Sequence, residues 1–253
     1  MDRLAFNAAA AINEQRLSRQ MTTHQLANVN TVGFKRSYEV ATRAIKIEGS
    51  GMDSRYQPQS VASDVVSLKP GALMVTGRGL DVAMNESTVL GVSARNGELA
   101  FSRRGDLRIN SAGVIEDGAG RAVRGQGGGT ITIPPGLEVS INRDGAVYAI
   151  DPAQVGAVQP VLIDSLLLRD ASATPLERRE DGLFGPVGRV GTDIANGVVL
   201  PSVTPKALES SNVNAMEVMV KLMDQSRSFE QQVRNIKESK TTDEAGATMM
   251  KLA

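Results

Sequence analysis

Residues 26–36, LANVNTVGFKR, separate two kinds of sequence. The chain before them, over residues 2–30, contains neither Pro nor Gly and is rich in Ala, which predicts a helix. The chain after them, over residues 31–205, holds all 10 Pro and most of the Gly residues, which is typical of short strands joined by turns. The asparagines, the Gly and the Phe of this stretch fit three structures: a catalytic turn, a helix cap at the surface, or an elbow used in assembly.

The composition excludes several classes of function. The 253 residues include 28 Lys and Arg against 28 Asp and Glu, so no net charge draws the chain to nucleic acid or to an acidic membrane. The absence of Cys excludes disulfides, thiolate metal sites and a Cys nucleophile. Residues 1–20 lack the apolar core of a signal peptide, and no apolar run approaches the roughly 20 residues that span a bilayer. We therefore expect a soluble chain that is not inserted in a membrane and carries no cleaved signal.

The middle of the chain predicts an antiparallel, β-rich domain over about residues 75–200. Short apolar runs alternate there with turn signals, and the RDG sequence at 143–145 lies between two such runs as a hairpin turn. Residues 34–74 have little periodicity, which favours an extended arm leading into this domain.

The C-terminal part predicts a second long helix over about residues 213–240. Asn214, followed three residues later by Glu217, resembles a capping box at its start. The residues that repeat in alternating steps of four and three, the spacing of a coiled-coil seam, are Ala215, Met219, Leu222, Ser226, Phe229, Val233 and Ile236. A second stripe lies beside this seam and consists of Val213, Met216, Val220 and Met223. Two stripes imply neighbours on two sides of the helix.

The N-terminal helix offers a weaker seam. Its apolar stripe, Ala5, Ala8, Ile12, Leu26 and Val29, is interrupted by Gln15, Arg19 and Thr22. Because isolated helices are marginal in water, both terminal helices need a surface to pack on. Two alternatives follow: a helical hairpin formed by the two ends of one chain, or ends that stay loose in the monomer and become ordered in a polymer.

The residues of common enzyme and metal sites are missing. His24 is the only histidine and has no Ser or carboxylate partner close in sequence, so we expect no catalytic residue and no transition-metal site. The glycine-rich stretch at 125–130 lacks the Gly-Lys-Ser/Thr ending of a phosphate loop and is interpreted as a β-turn, so no cofactor is predicted. Arg103, Arg104 and Arg108 form a basic cluster, which we interpret as a solvated face or, alternatively, a protein contact.

Four blocks, in collinear order, resemble the bacterial flagellar rod and hook family. LANVNTVGFKR is similar to the family pattern in which a terminal helix ends in Leu-Ala-Asn, Thr and Gly-Phe. GRGLDVAM at 77–84 resembles the Leu-Asp-Val-Ala entry into the family's β-domain. Residues 101–134 resemble its Tyr-Thr-Arg-x-Gly block and the Gly-Pro-Ile-x-Ile-Pro turn that follows, and residues 208–230 resemble its Ser-Asn-Val-Asn helix.

The ending of the chain distinguishes members within this family. Residues 226–253 are similar to the proximal rod members, whereas distal rod members typically carry Gln-Arg-Ala-Tyr-Glu-Ala-Asn there. The chain departs from the family pattern at 85–90, where NESTVL replaces a usual Gly-x-Gly-Phe-Phe, and at Phe101, which replaces a Tyr. The first departure also favours a proximal subunit. A distal rod subunit stays open as an alternative, as does, in a different class, a soluble β-rich enzyme or ligand-binding module.

The resemblance implies an α+β axial protein whose terminal helices form a coiled-coil-like inner layer beneath a β-rich outer domain. The predicted segments are an axial helix at 1–33, an extended arm at 34–74, the outer domain at 75–200, a return linker at 201–212, and a C-terminal helix with its tail at 213–253.

The resemblance also implies a non-enzymatic, structural role in the drive shaft of the flagellum. The implied partners are other rod subunits, copies of the chain itself and the flagellar type III export apparatus, and the implied location is the periplasmic rod of the basal body. The residues predicted to form the assembly interface are Ile12, Leu26, Asn28, Thr31, Gly33, Phe34, Leu80, Asp81, Asn212, Val213, Met216, Met219, Leu222, Phe229, Val233 and Ile236.

Overall fold

The computed structural model describes residues 2–37, 41–46, 56–61, 65–152 and 159–251. This part of the chain contains two helices and sixteen strands, and every strand pair is antiparallel, which confirms the α+β class. The chain divides into two compact units, described separately below. The helical unit comprises Met1–Ala27, Glu39–Ser63 and Asn214–Ala253, and the β unit comprises Asn28–Tyr38 and Asp64–Val213.

The helical unit consists of two long helices and one hairpin. Helix α1 spans Asp2–Ala27, and helix α2 spans Ala215–Lys251. The side-chain oxygen of Asn214 accepts hydrogen bonds from the backbone N–H groups of Met216 at 3.0 Å and Glu217 at 3.4 Å, so the predicted N-cap is present. Helix α2 continues well beyond residue 240, because the tail is rich in good helix formers and contains a single Gly.

The region predicted as one extended arm is divided between the two units. Strand β1, Ala41–Lys46, pairs with strand β2, Tyr56–Val61, as an antiparallel hairpin within the helical unit. Residues at both ends of the predicted arm belong instead to the β unit. Residues 47–55, in the middle of that arm, lie outside the described part of the chain.

The β unit contains the remaining strands in small antiparallel sheets. Their bounds are β3 Leu73–Val75, β4 Val82–Met84, β5 Thr88–Ser93, β6 Leu99–Ser102, β7 Arg108–Ile109, β8 Ile115–Glu116, β9 Glu138–Ile141, β10 Ala146–Ile150, β11 Val161–Ser165, β12 Leu168–Asp170, β13 Leu176–Arg178, β14 Phe184–Pro186, β15 Val203–Pro205 and β16 Ala207–Glu209. The largest sheet has the order β12-β5-β6-β14-β13, and a second has the order β11-β10-β9. Three two-stranded ribbons, β15-β4, β16-β3 and β7-β8, complete the described pairing.

Strand β5 explains why this unit folds as it does. Its sequence is an almost continuous apolar run, and successive side chains of a strand point to opposite faces. Leu90 and Val92 lie in one apolar cluster, while Val89 lies in a second cluster with Phe101. All four side chains are fully buried, so the sheet has apolar packing on both faces.

The hairpin predicted at residues 143–145 is confirmed. It joins β9 to β10, and the N–H of Gly145 donates to the carbonyl of Asn142 at 3.0 Å. Gly145 has φ of 83°, a conformation that favours glycine and closes the turn.

Candidate assembly site

The LANVNTVGFKR stretch forms an elbow, defined here as residues 28–36, in which α1 has ended and the chain turns. The hydroxyl of Thr31 donates to the side-chain oxygen of Asn28 at 3.1 Å, and the N–H of Thr31 donates to the carbonyl of Asn28, also at 3.1 Å. The N–H of Phe34 then donates to the carbonyl of Thr31 at 3.2 Å. Helix α1 therefore ends through the hydrogen bonds between Asn28 and Thr31, whose short side chains commonly end helices in this way.

Gly33 is required at the elbow for two independent reasons. Its φ of 68° lies in the left-handed region, which side chains with a Cβ rarely adopt. A Cβ at this position would also lie 2.1 Å from the carbonyl oxygen of Arg103. The N–H of Gly33 donates to the carbonyl of Glu209 at 2.8 Å, so the elbow is attached to strand β16 through this close approach.

Phe34 packs inside the β unit. Its ring is 8% exposed, and the guanidinium carbon of Arg178 lies 4.4 Å from the ring centroid in a cation–π contact. Arg178 also donates a hydrogen bond to the carbonyl of Lys35. Phe34 therefore anchors the elbow to its own chain, and its predicted place in the assembly interface stays a prediction.

A buried ionic triad, Lys35, Arg103 and Glu209, lies beneath the elbow. The three side chains are 0%, 0% and 3% exposed. One carboxylate oxygen of Glu209 accepts from Nζ of Lys35 at 2.6 Å and from the N–H of Gly71 at 2.9 Å, while the other accepts from Nε of Arg103 at 2.9 Å. Nζ of Lys35 also donates to the carbonyl of Lys69 at 2.9 Å. A single carboxylate thus joins four separate segments of the β unit.

The sequence interpretation of Arg103 as part of a solvated basic cluster is wrong. Its guanidinium also donates to the carbonyl of Met84 at 2.7 Å and to the carbonyl of Glu86. Arg108, by contrast, has a side chain that is 56% exposed. The three arginines look alike in sequence, and the contacts of Arg103 with Glu209 of β16 and with the carbonyls of Met84 and Glu86 distinguish the buried one.

Burial changes the protonation of the triad. It lowers the pKa of Lys35 to about 8 from its ordinary value of 10.5, and the nearby charge of Arg103 acts in the same direction, whereas Glu209 opposes the shift. Burial also lowers the pKa of Arg103, although an arginine keeps its proton in proteins. Since one carboxylate faces two cations, Lys35 is the member that releases a proton as the pH rises.

Asn212 and Asp81, both predicted site residues, also make bonds inside the β unit. The side-chain oxygen of Asn212 accepts from the N–H of Arg36 at 2.7 Å, and its amide donates to the carbonyls of Ser67 and Lys69. The carboxylate of Asp81 accepts from the hydroxyl of Thr76 at 2.7 Å and from Nε of Arg78 at 2.9 Å. Leu80 packs against the larger apolar cluster, and Val213 is buried at 7% exposure.

In the helical unit, α1 and α2 pack on one another through a seam with a polar centre. The side-chain amide of Gln225 donates to the hydroxyl oxygens of Ser18 at 3.0 Å and Thr22 at 3.2 Å, and the amide of Gln15 donates to the backbone carbonyl of Gln225 at 2.9 Å. Val218 is buried at 5% exposure. The half-buried predicted residues of the two helices are Ile12, Leu26, Leu222, Val233 and Ile236. The sequence left two alternatives open, a helical hairpin formed by the two ends of one chain or ends that stay loose in the monomer. The structure contains the helical hairpin.

Three of the four residues of the second stripe predicted on α2 are exposed, namely Met216 (71%), Val220 (50%) and Met223 (54%), whereas Val213 is buried. Met219, which was predicted in the coiled-coil seam, is 47% exposed on the same side of the helix. We call Met216, Met219, Val220 and Met223 the methionine stripe. Nine residues separate Met216 from Gln225, which at roughly 100° per residue places them on opposite sides of the helix. Phe229, also a predicted site residue, is 41% exposed.

Neither of two grooves in the described part of the chain is lined by more than one described acid. A groove of about 560 Å³ in the helical unit includes Glu238 as the one acid among its described lining residues. A second groove, of about 400 Å³ beside the Gly77–Leu80 turn, includes Glu138 as its one lining acid. Within the described residues there is no group of three His, Cys, Asp or Glu side chains that could hold a metal ion. None of the described helices combines the length and the apolar character needed to cross a membrane.

Comparison with known proteins agrees with this architecture. Residues 85–149 match the family model of the flagellar hook protein FlgE/F/G D1 domain, and residues 204–249 match that of the flagellar basal body rod FlgEFG protein C-terminal region. The flagellar basal-body rod protein FlgF of Escherichia coli K12 is 30% identical over 252 residues, covering 97% of this chain and 96% of the relative. The chain belongs to the flagellar basal-body rod protein family. The FlgF of Salmonella typhimurium LT2 is 31% identical over 242 residues, with 93% of each chain covered.

This rod family protein is FlgF-like rather than FlgG-like. The FlgG of Buchnera aphidicola from Acyrthosiphon pisum is 26% identical over 251 residues, covering 90% of this chain and 92% of the relative. The identity to the two enterobacterial FlgF proteins is higher over the same span, as the ending of the chain predicted. The function is that of a structural subunit of the flagellar basal-body rod.

Proposed function

We propose that this rod protein polymerises with copies of itself and with other rod subunits through the methionine stripe of α2. The observation that carries the proposal is the exposure of four apolar side chains within eight residues of one helix face. Soluble monomers rarely expose contiguous apolar patches without using them in a contact. Covering the stripe in an assembly would contribute on the order of 4–8 kcal/mol, if each partly exposed side chain yields about 1–2 kcal/mol.

The pattern of charges along α2 restricts the proposed contact to its first turns. Beyond Met223 the same face continues with Arg227 and Glu230, both exposed. A neighbour that packs on the stripe therefore meets apolar side chains near the start of the helix and charged ones farther along. Contacts between unlike surfaces that do not close into a ring build a helical polymer, which is the architecture of a shaft.

The triad holds the elbow in place within the β unit. Breaking a buried ion pair leaves an uncompensated charge, so the segments joined by Glu209 resist displacement. In our proposal this triad keeps the elbow attached to the β unit while the rod transmits torque. The subunit acts without catalysis and without a cofactor or metal, it passes through the flagellar type III export apparatus, and its site of assembly is the periplasm.

A charged substitution in the stripe tests the proposal. We expect Met219→Glu to leave the far-UV circular dichroism and thermal unfolding of the monomer unchanged, because the side chain is exposed, and to abolish swimming when the variant replaces the native gene. Basal bodies from that strain, examined by electron microscopy, should have rods that stop short. The matched control is Gln231→Glu, which adds the same charge to an exposed position beyond the stripe and should support swimming. Normal rods with Met219→Glu would refute the proposed contact.

The distal position in the rod is the second candidate. Basal bodies from a strain that lacks the gene distinguish the two, since the loss of a proximal subunit stops the rod earlier than the loss of a distal one. We expect the shorter remnant, in agreement with the higher identity to the FlgF relatives.

A further inference from the structure

Helix α2 has two apolar faces, and the one on the side of Gln225 is the less exposed. On that side Val218 is 5% exposed and Leu222 is half-buried, whereas the methionine stripe is centred about half a turn away around the helix. Burial of apolar surface is the main favourable term in packing, but both faces offer it, so it does not by itself decide which face packs on α1. A specific interaction can make that choice.

Gln225 is the residue that makes such an interaction. Its amide donates to two hydroxyl oxygens on successive turns of α1, Ser18 and Thr22, and its backbone carbonyl accepts from Gln15. The hydroxyl of Thr22 donates to the carbonyl of Ser18 at 2.8 Å, which leaves its oxygen lone pairs directed at Gln225. These contacts require Gln225 to face α1, and no side chain of the methionine stripe could replace them.

The seam is not arranged for maximum stability. The side-chain oxygens of Gln15 and Gln225 are buried and have no hydrogen-bond partner among the described residues. A buried acceptor without a partner is destabilising, and an apolar residue at the same place would remove the penalty. Buried polar residues in helix seams are best known for fixing one arrangement among several at the expense of stability.

We propose that Gln225 selects the face of α2 that is turned toward α1 and thereby keeps the methionine stripe available to the next subunit. The inference rests on the proposed function only for the statement that the exposed stripe contacts the next subunit. The choice of the α2 face that is turned toward α1 is a property of the monomer. Gln225 is a positioning residue: it acts through the rotation of α2 and does not itself meet the partner.

Hydroxyl-radical footprinting of the purified full-length monomer, read residue by residue by mass spectrometry, tests the selection. In the unaltered chain Met223 should react quickly and Val218 slowly, following their exposures of 54% and 5%. In Gln225→Ala we expect the rate at Met223 to fall and the rate at Val218 to rise, each by about threefold or more, because the stripe then competes for α1. Opposite changes at these two positions are the signature of rotation.

A second variant and a control complete the experiment. Ser18→Ala combined with Thr22→Val removes both acceptors while Gln225 stays in place, and it should give the same opposite changes. Gln231→Ala, the same substitution at an exposed position of α2, should leave both rates as they are. Unchanged rates in Gln225→Ala would overturn the proposal, and so would faster reaction at both positions, because the helices would then have separated without rotation.

The monomer experiment and the assembly experiment can fail separately. If Gln225→Ala rotates α2 while Met219→Glu still builds normal rods, the selection stands and the stripe is not the assembly contact. If footprinting shows no rotation while Met219→Glu blocks assembly, the proposed function stands and the role of Gln225 is refuted.

Discussion

The ionic triad beneath the elbow and the seam between α1 and α2 treat their buried polar groups in opposite ways. In the triad both carboxylate oxygens of Glu209 have partners, because they accept from Lys35, Gly71 and Arg103. In the seam the side-chain oxygens of Gln15 and Gln225 lack partners among the described residues, while the methionine stripe of α2 is open to solvent. The difference indicates that the elbow completes its polar contacts within the chain and that α2 keeps an apolar surface for a further contact.

This contrast has a consequence for how each unit responds to substitution. Changes at the triad should lower the stability of the monomer directly, because buried charges have no alternative partner. Changes at exposed positions of α2 should leave the stability of the monomer within about 0.5 kcal/mol and act only on assembly. The largest losses of stability are therefore expected at the triad and at the elbow.

The largest effect is expected for Glu209→Gln. The substitution leaves Lys35 and Arg103 buried without a counter-charge, so the free energy of unfolding should fall by about 3–5 kcal/mol. A urea titration read by hydrogen exchange in strands β5 and β6 measures the loss. Glu244→Gln is the matched control, because Glu244 pairs with Lys240 at 3.6 Å on the exposed surface of α2, where such a pair contributes well below about 1 kcal/mol. Equal losses in the two variants would contradict the contrast between the units.

A somewhat smaller effect is expected for Gly33→Ala. The left-handed conformation and the close approach to the carbonyl of Arg103 both oppose a Cβ, so the free energy of unfolding should fall by at least about 2 kcal/mol. Gly127→Ala provides the control, because Gly127 has no positive φ and nothing lies within 4 Å of a Cβ placed there. Alanine at 127 should be neutral or stabilise the fold by about 0.4–1 kcal/mol. A Gly33→Ala chain as stable as the unaltered one would show that the elbow can relax, against the proposal that the triad holds it in place.

Local sequence signals were sufficient for the elements that depend on neighbours in the chain. The Asn214 cap, the hairpin turn ending in Gly145 and the termination of α1 before Thr31 were all predictable from residue types at fixed spacings. The apolar periodicity of α2 was also predictable, although it assigned Met219 to the coiled-coil seam and Val213 to the second stripe, whereas Met219 is exposed and Val213 is buried. Which apolar face packs on α1 was not predictable, because that choice depends on hydroxyls about two hundred residues away in sequence.

The triad could not have been found from the sequence. Lys35, Arg103 and Glu209 have no common motif, and charged residues are almost never fully buried unless they are paired. The burial of Phe34 could not be found from the sequence either, because its cation–π partner Arg178 is far away in the chain. The domain boundaries and the assembly role of the sixteen site residues stay predictions.

The smallest effect is a dependence on pH that isolates Lys35. In the unfolded chain this lysine has its ordinary pKa of 10.5, and in the folded chain burial lowers the pKa to about 8. Between these values the unfolded state binds more protons, so a rise in pH across this window stabilises the folded state. We expect the free energy of unfolding of the unaltered chain to increase between pH 8 and pH 10.5, by on the order of 1–3 kcal/mol, relative to that of Lys35→Met.

The comparison with Lys35→Met removes the contribution of every other group that titrates in this range, since both chains share them. Below pH 8 the folded and the unfolded states of the unaltered chain both keep Lys35 protonated. The free energies of unfolding of the unaltered chain and of Lys35→Met should therefore change in parallel with pH there. Urea titrations at intervals of half a pH unit would resolve the divergence. Stability profiles that stay parallel up to pH 10.5 would mean that Lys35 keeps an ordinary pKa and is hydrated. The ionic triad beneath the elbow would then not be shielded from water, and it would no longer contrast with the seam of the helical unit.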